Sequence, residues 1–234
     1  MVQNLQVSDV TVLSCAALTT REVNAALHAL PDGSKVIITE PRGRHNLAVG
    51  VARALDITIE GNAGYFTGGL CDGPSILVQG FVGWSVGENL MSGTVRVRGN
   101  ASESAGASAH GGLVIVEGDA SSRAAISLKG GTVVVGGDVG HMSAFMAQAG
   151  VLLVGGDAGD SLGDSLYEAV IYVGGTIRSL GADARIEELT EADVKIVREL
   201  VHTTGLAHID PENVTKVASA RQLYNFDALK DQRY

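Results

Sequence analysis

Glycine returns every 19 residues through the middle of this 234-residue chain, at Gly61, Gly80, Gly99, Gly118, Gly137, Gly156 and Gly175. A period held this long signals stacked copies of one unit, because equal positions then meet their own counterparts in the neighbouring copies. The flanking columns repeat as well. Two positions before each glycine lie Ile59, Val78, Val97, Val116, Val135, Val154 and Val173. Four positions before lie Ile57, Ile76, Val95, Val114, Val133, Leu152 and Ile171. Residues two apart share one face of a strand, so both columns point into one apolar interior. Their β-branched character suits a pleated sheet. The residue after the glycine is often Asn or Asp (Asn62, Asn100, Asp119, Asp138, Asp157), a type that tolerates bent backbone and bonds to nearby N–H groups. Seven positions after it stand only small residues: Gly68, Gly87, Gly106, Ala125, Ala144, Gly163 and Ala182.

A 19-residue unit is too short for a strand–helix–strand unit and about half a propeller blade. It fits one coil of a solenoid. The expected fold is all-β: a single-stranded right-handed parallel β-helix of about seven 19-residue turns over residues 57–182, roughly 30 Å tall at ~4.8 Å per coil. Residues 1–56 lack the ladder and are expected to form an N-terminal cap segment over the first open coil. Within it, Thr19 and Glu22 have capping-box spacing for a short helix running to Leu30, and Lys35 to Thr39 reads as a strand. Residues 183–234 are expected as a helical C-terminal extension and tail. Thr190 and Asp193 mark a helix start; Val194, Val197, Leu200 and Val201 form its apolar stripe; Gly205 ends it; Asp210-Pro211 opens a second short helix.

Aromatic residues are only 4% of the chain, so the core must be built from Val, Ile, Leu and Ala. A formal charge of −9 with no basic run disfavours nucleic-acid binding. No stretch approaches the ~18 apolar residues of a membrane span, and the N-terminus lacks the basic region of a secretory signal. Cys15 and Cys71 have no CxxC spacing, so neither a zinc site nor a disulfide framework is indicated. These features together lead us to expect a cytoplasmic protein.

One outward column breaks the rule that solvent-facing positions are polar. Three positions before the marker glycine lie Thr58, Leu77, Arg96, Ile115, Val134, Leu153 and Tyr172. Something must cover that stripe, either a terminal segment of the same chain or a partner subunit. Leu153 and Tyr172 are therefore candidate partner contacts. Arg42, Arg44 and His45 are also candidates: they form a concentrated cationic turn in an acidic chain, able to hold a carboxylate through bidentate contacts. Tyr224 and Phe226 complete the set, in a tail that either packs on the solenoid or crosses another subunit.

Catalytic chemistry is weakly supported. The six histidines, His28, His45, His110, His141, His202 and His208, form no HExxH or HxH pair. Ser85, Ser104 and Ser161 share a column, but no GxSxG elbow exists. Gly136-Gly137-Asp138 and Gly155-Gly156-Asp157 recur at 19 residues, whereas calcium-binding β-rolls repeat every nine. Gly137-Asp138-Val139-Gly140 lacks the following helix of a dinucleotide loop. No catalytic, cofactor-binding or metal-ligating residue is assigned.

The ladder of glycine followed by Asn or Asp resembles the GXGXG domain at the C-terminus of the glutamate synthase large subunit. In further stretches the chain resembles the stand-alone form of that domain in the N-methylglutamate synthase (methylamine–glutamate N-methyltransferase) branch. These are Pro41-Arg42-Gly43-Arg44-His45, Ala109-His110-Gly111-Gly112, Gly140 to Gly150, Leu162-Gly163-Asp164-Ser165, Leu180-Gly181-Ala182-Asp183 and Ser219 to Asp227. The resemblance spans nearly the whole chain. It implies a β-helix subunit without its own active site, held between a glutamine-amidotransferase-like subunit and an FMN-dependent glutamate-synthase-like subunit. FMN is then expected in the partner. The implied overall reaction converts methylamine and L-glutamate to N-methyl-L-glutamate and ammonia. The ladder alone also permits a subunit of a formylmethanofuran dehydrogenase-type C1 enzyme, and an independent solenoid acting on carbohydrate is a third reading.

Overall fold

The computed structural model describes residues 10–220. It is a parallel β-solenoid in which one long sheet runs the length of the rod. Strands β3 (Asp56–Ile59), β4 (Asp72–Val78), β5 (Ser92–Val97), β6 (Leu113–Val116), β7 (Lys129–Val135), β8 (Ala149–Val154) and β9 (Val170–Val173) each belong to one coil. They pair in parallel with Ile57 beside Ile76, Val95, Val114, Val133, Leu152 and Ile171 in turn. The 19-residue register is therefore the register of the sheet. Both apolar columns face inward and are fully buried, with Val116 and Val133 at the centre. Each coil shares this interior with its neighbours, since no coil alone closes a core.

The two kinds of glycine column have different causes. At Gly87, Gly106 and Gly163 the backbone is left-handed, with φ of 65°, 68° and 67°. Ala125 and Ala144 take the same conformation, and each of these residues lies midway between two other left-handed residues, as Ser85 and Asn89 flank Gly87. This corner bends the chain sharply, and a larger side chain in the column would enter the core: a Cβ on Gly106 would collide with Val133. The marker glycines are needed for room instead. The Oδ1 atoms of Asn62, Asn100, Asp119, Asp138 and Asp157 accept the N–H of Phe81, Asp119, Asp138, Asp157 and Thr176 in the following coil, at 2.6–3.0 Å. In doing so they occupy the space of a Cβ on Gly80, Gly118, Gly137, Gly156 and Gly175.

The stack begins earlier than the glycine ladder. β1 (Val10–Ser14) pairs in parallel with β2 (Lys35–Thr39), and β2 pairs in parallel with β3 at a 21-residue offset, Val36 beside Ile57. Asn46, Ala48 and Gly50 repeat the left-handed alternation of the later corners, so a coil precedes Gly61 without a marker glycine. Helix α1 (Thr20–Ala29) starts on the expected Thr19–Glu22 capping box and buries Val23 and Leu27 in the core.

Beyond β9, β10 (Ala184–Glu187) and helix α2 (Glu191–Thr204) precede β11 (Thr215–Ser219). α2 has the expected start, with a Thr190–Asp193 capping box, and the expected stop, with Gly205 in the left-handed conformation. The second short helix expected from Asp210-Pro211 is absent. There the chain makes a turn, in which the Asp210 carbonyl accepts the Asn213 N–H at 3.1 Å, and enters β11. β11 runs antiparallel between β9 and β10, and β10 is the last strand at that end of the sheet.

The outward stripe is covered by the chain itself. Ile115, Val134, Leu153 and Tyr172 are buried against Val197 of α2 and against Leu206, Ile209 and Val214 of the extension. The reading of Leu153 and Tyr172 as partner contacts is thereby corrected. Tyr172 donates its hydroxyl to Asp193 Oδ1 at 2.7 Å, and Lys216 Nζ reaches Asp193 Oδ2 at 3.0 Å. Burial pushes the Asp193 carboxyl up, but hydrogen bonds from Thr190, Tyr172 and Lys216 outweigh it and hold the group well below the usual carboxylate range. His208 Nε2 donates to the Gly136 carbonyl at 2.8 Å, tying the extension to the rod.

Candidate partner-binding groove

The remaining candidates sit at one corner of the rod. Arg44 turns back and donates to the Leu18 carbonyl, so it fastens the first coil to the start of α1. Arg42 stays outside and pairs with Glu40 at 3.1 Å. The structure thus divides the cationic turn into one structural arginine and one surface pair. His45 lies flat over the next coil: its Nδ1 accepts the Tyr65 N–H at 3.1 Å, and its ring stacks on Tyr65 with centroids 3.7 Å apart and planes 19° from parallel. Gly64 is required beneath it, because a Cβ there would meet His45 Nδ1. A neutral ring accepting at Nδ1 carries its proton on Nε2, at the exposed edge. Tyr224 and Phe226 lie outside the described residues.

Tyr65 heads a further outward column. The N–H groups of Asn46, Phe66, Ser85, Ser104, Arg123 and Met142 donate to the carbonyls of Tyr65, Trp84, Glu103, Ser122, His141 and Asp160. Those six acceptors are therefore equivalent positions on successive coils, each four residues past a marker glycine. Beside them runs the column of Asn and Asp one residue past the glycine. Between the two lies a floor of small residues: Gly64, Gly83, Ser102, Ser121, Gly140 and Gly159. The two columns and the small residues between them form a surface strip parallel to the rod axis, which opens as a pocket near each end.

Its two ends differ. At one end a cavity of about 620 Å³ is lined by His45, Gly64, Tyr65, Gly83, Trp84 and Ser102. At the other, a cavity of about 490 Å³ has Asp138, Asp157, Asp160, His141 and Arg178 among its lining residues. Trp84 is 61% exposed, Phe81 55% and Tyr65 45%, in a chain with few aromatic residues. Phe81 is the telling one. It stands in the column where Asn62, Asn100 and the three Asp residues bond to the next coil, and a phenyl ring makes no such bond. Breaks in a local rule of this kind are expected at functional or strained positions.

Cys15 and Cys71 are buried free thiols. Burial raises both, Cys71 to about 11, so neither is a ready nucleophile. Among the described residues no group of three or more His, Cys, Asp or Glu side chains is arranged to hold a metal ion. None of their helices is long and apolar enough to cross a membrane.

No protein-family profile matches the chain. A 68-residue stretch is 44% identical to Protein GlxC of Rhizobium meliloti (strain 1021), which takes in 28% of this chain and 30% of that protein. The likeness therefore spans less than a third of either protein.

Proposed function

We propose that this chain is a non-catalytic assembly subunit of a glutamate-synthase-like complex. The observation that carries the reading is the set of exposed aromatic side chains Tyr65, Phe81 and Trp84 on adjacent coils of the solenoid. Exposed aromatic clusters of this kind are anchors for partner proteins. The resemblance of the ladder and of the flanking segments to the GXGXG family supports the choice of complex, and the partial likeness to Protein GlxC is compatible with it.

In its finer form the proposal is a subunit of an N-methylglutamate synthase, joining methylamine and L-glutamate to give N-methyl-L-glutamate and ammonia. A glutamine-amidotransferase-like subunit and an FMN-dependent subunit would carry the chemistry, and this rod would hold them in register. The test is reconstitution. The two partner subunits are assayed for N-methylglutamate formation with and without this chain. Activity and co-elution that require the chain are expected; a partner pair equally active alone would reject the assembly role.

A further inference from the structure

The strip between the two pockets, taken as one groove, defines the chemistry of the occupant that would fit it. Its aromatic end offers ring faces and spare donors: Trp84, Ser102 and the Tyr65 hydroxyl make no side-chain hydrogen bond within the described residues. From there toward the far end the walls carry Glu103, Asp119, Asp138, Asp157 and Asp160. Asp160 faces Arg178 at 3.4 Å. The other four have no ion pair within the described residues. Asp119, Asp138 and Asp157 each spend one oxygen on a backbone N–H, which leaves the second oxygen and the full negative charge facing outward. A row of like charges spaced by one coil step repels itself, and a cation laid along it removes that repulsion.

We infer that the groove binds an extended, basic segment of a partner protein, with an arginine or an apolar side chain over Trp84 and lysine or arginine side chains along the aspartate column. Guanidinium groups stack on indole and bond to carboxylates, so both ends of the groove suit one such segment. Tyr65 to Asp160 spans five coil steps, about 24 Å, or roughly seven residues of extended chain. This inference rests on the assembly reading and gives it a surface.

The test uses the intact chain and the two partner subunits named above. The Kd of the chain for the partner pair is measured by calorimetry at low and at physiological salt. Trp84→Ala removes the anchor. The triple variant Asp119→Asn, Asp138→Asn, Asp157→Asn removes three charges but keeps the ladder acceptors, as Asn62 and Asn100 do in the native chain. Both variants should melt with the parent. Trp84→Ala is expected to weaken binding about tenfold or more. The triple variant is expected to weaken it about tenfold at low salt and to flatten its salt dependence. Unchanged binding in both variants would overturn the groove and leave the assembly reading standing. Weakening by Trp84→Ala with an unaltered salt slope in the triple variant would overturn the basic occupant. Absence of any complex with the parent chain would overturn the assembly reading, and the groove proposal with it.

Discussion

Oδ1 of Asp119 fills the space in which a side chain on Gly137 would begin, and from there it accepts the Asp138 N–H at 2.9 Å. The glycine and the aspartate are halves of one joint, 18 residues apart in sequence and one coil apart in space.

Gly137→Ala should therefore cost about 1–3 kcal/mol by overpacking. Asp119→Ala should cost about 0.5–1.5 kcal/mol for the lost hydrogen bond. With the carboxylate gone, the nearest remaining atom to the new Cβ is the Gly118 carbonyl carbon at 3.2 Å. The double variant should then be clearly more stable than the sum of the two losses. Urea unfolding of the four proteins measures the coupling; strict additivity would show that the joint is not what excludes a side chain at position 137.

Val116 lies fully buried in the inner column, midway along the rod. Val116→Asp places an unpaired carboxylate there, and a loss of more than about 3 kcal/mol is expected. A melting temperature equal to the parent's would contradict the inward assignment of the column.

The Asp193 carboxyl is held below its ordinary range in the folded state, so the unfolded chain binds its proton first as pH falls. Its contribution is complete above about pH 4, the unfolded carboxyl value, and is lost as the pH drops toward the depressed folded one. Asp193→Asn should destabilise the protein at neutral pH and make stability fall less steeply below about pH 4. Hydrogen exchange in α2 and β11 is expected to report the loss before the coils do, because Asp193 ties Thr190, Tyr172 and Lys216 together. An acid slope identical to the parent's would remove this cluster as a clasp.

β11 ends at Ser219, and the Ala220 N–H donates to the Asp183 carbonyl at 2.7 Å. A cut after Ala220 spares these contacts and removes Tyr224 and Phe226. Under the assembly reading, this truncation should weaken partner binding while leaving the melting temperature within a degree or two. A large drop in melting temperature with unchanged binding would make the tail a cap of the rod.

The repeat was legible because its columns answer to packing. Ile57, Ile76 and Val95 stack on one another, so their type is conserved from coil to coil. The Tyr65–Trp84–Glu103–Ser122–His141–Asp160 column was not recognised because nothing inside the rod restrains its residue types; only counting four past each glycine would have found it. The coil holding β2 escaped because its 21-residue offset breaks the period and Glu40, not a glycine, stands two residues past Ile38. Local signals in the sequence predicted α2, with its Thr190 start and Gly205 stop, but not which surface it would cover. That depended on Tyr172 meeting Asp193, a contact across 21 residues with no local signature.

The interlock between an Asn or Asp and the glycine of the next coil makes most coils both a plug and a socket. Excising or duplicating a full 19-residue unit between equivalent residues would leave the seam with matching halves. Rods of this kind can thus change length in whole steps, moving whatever binds at one end nearer to or farther from whatever binds at the other.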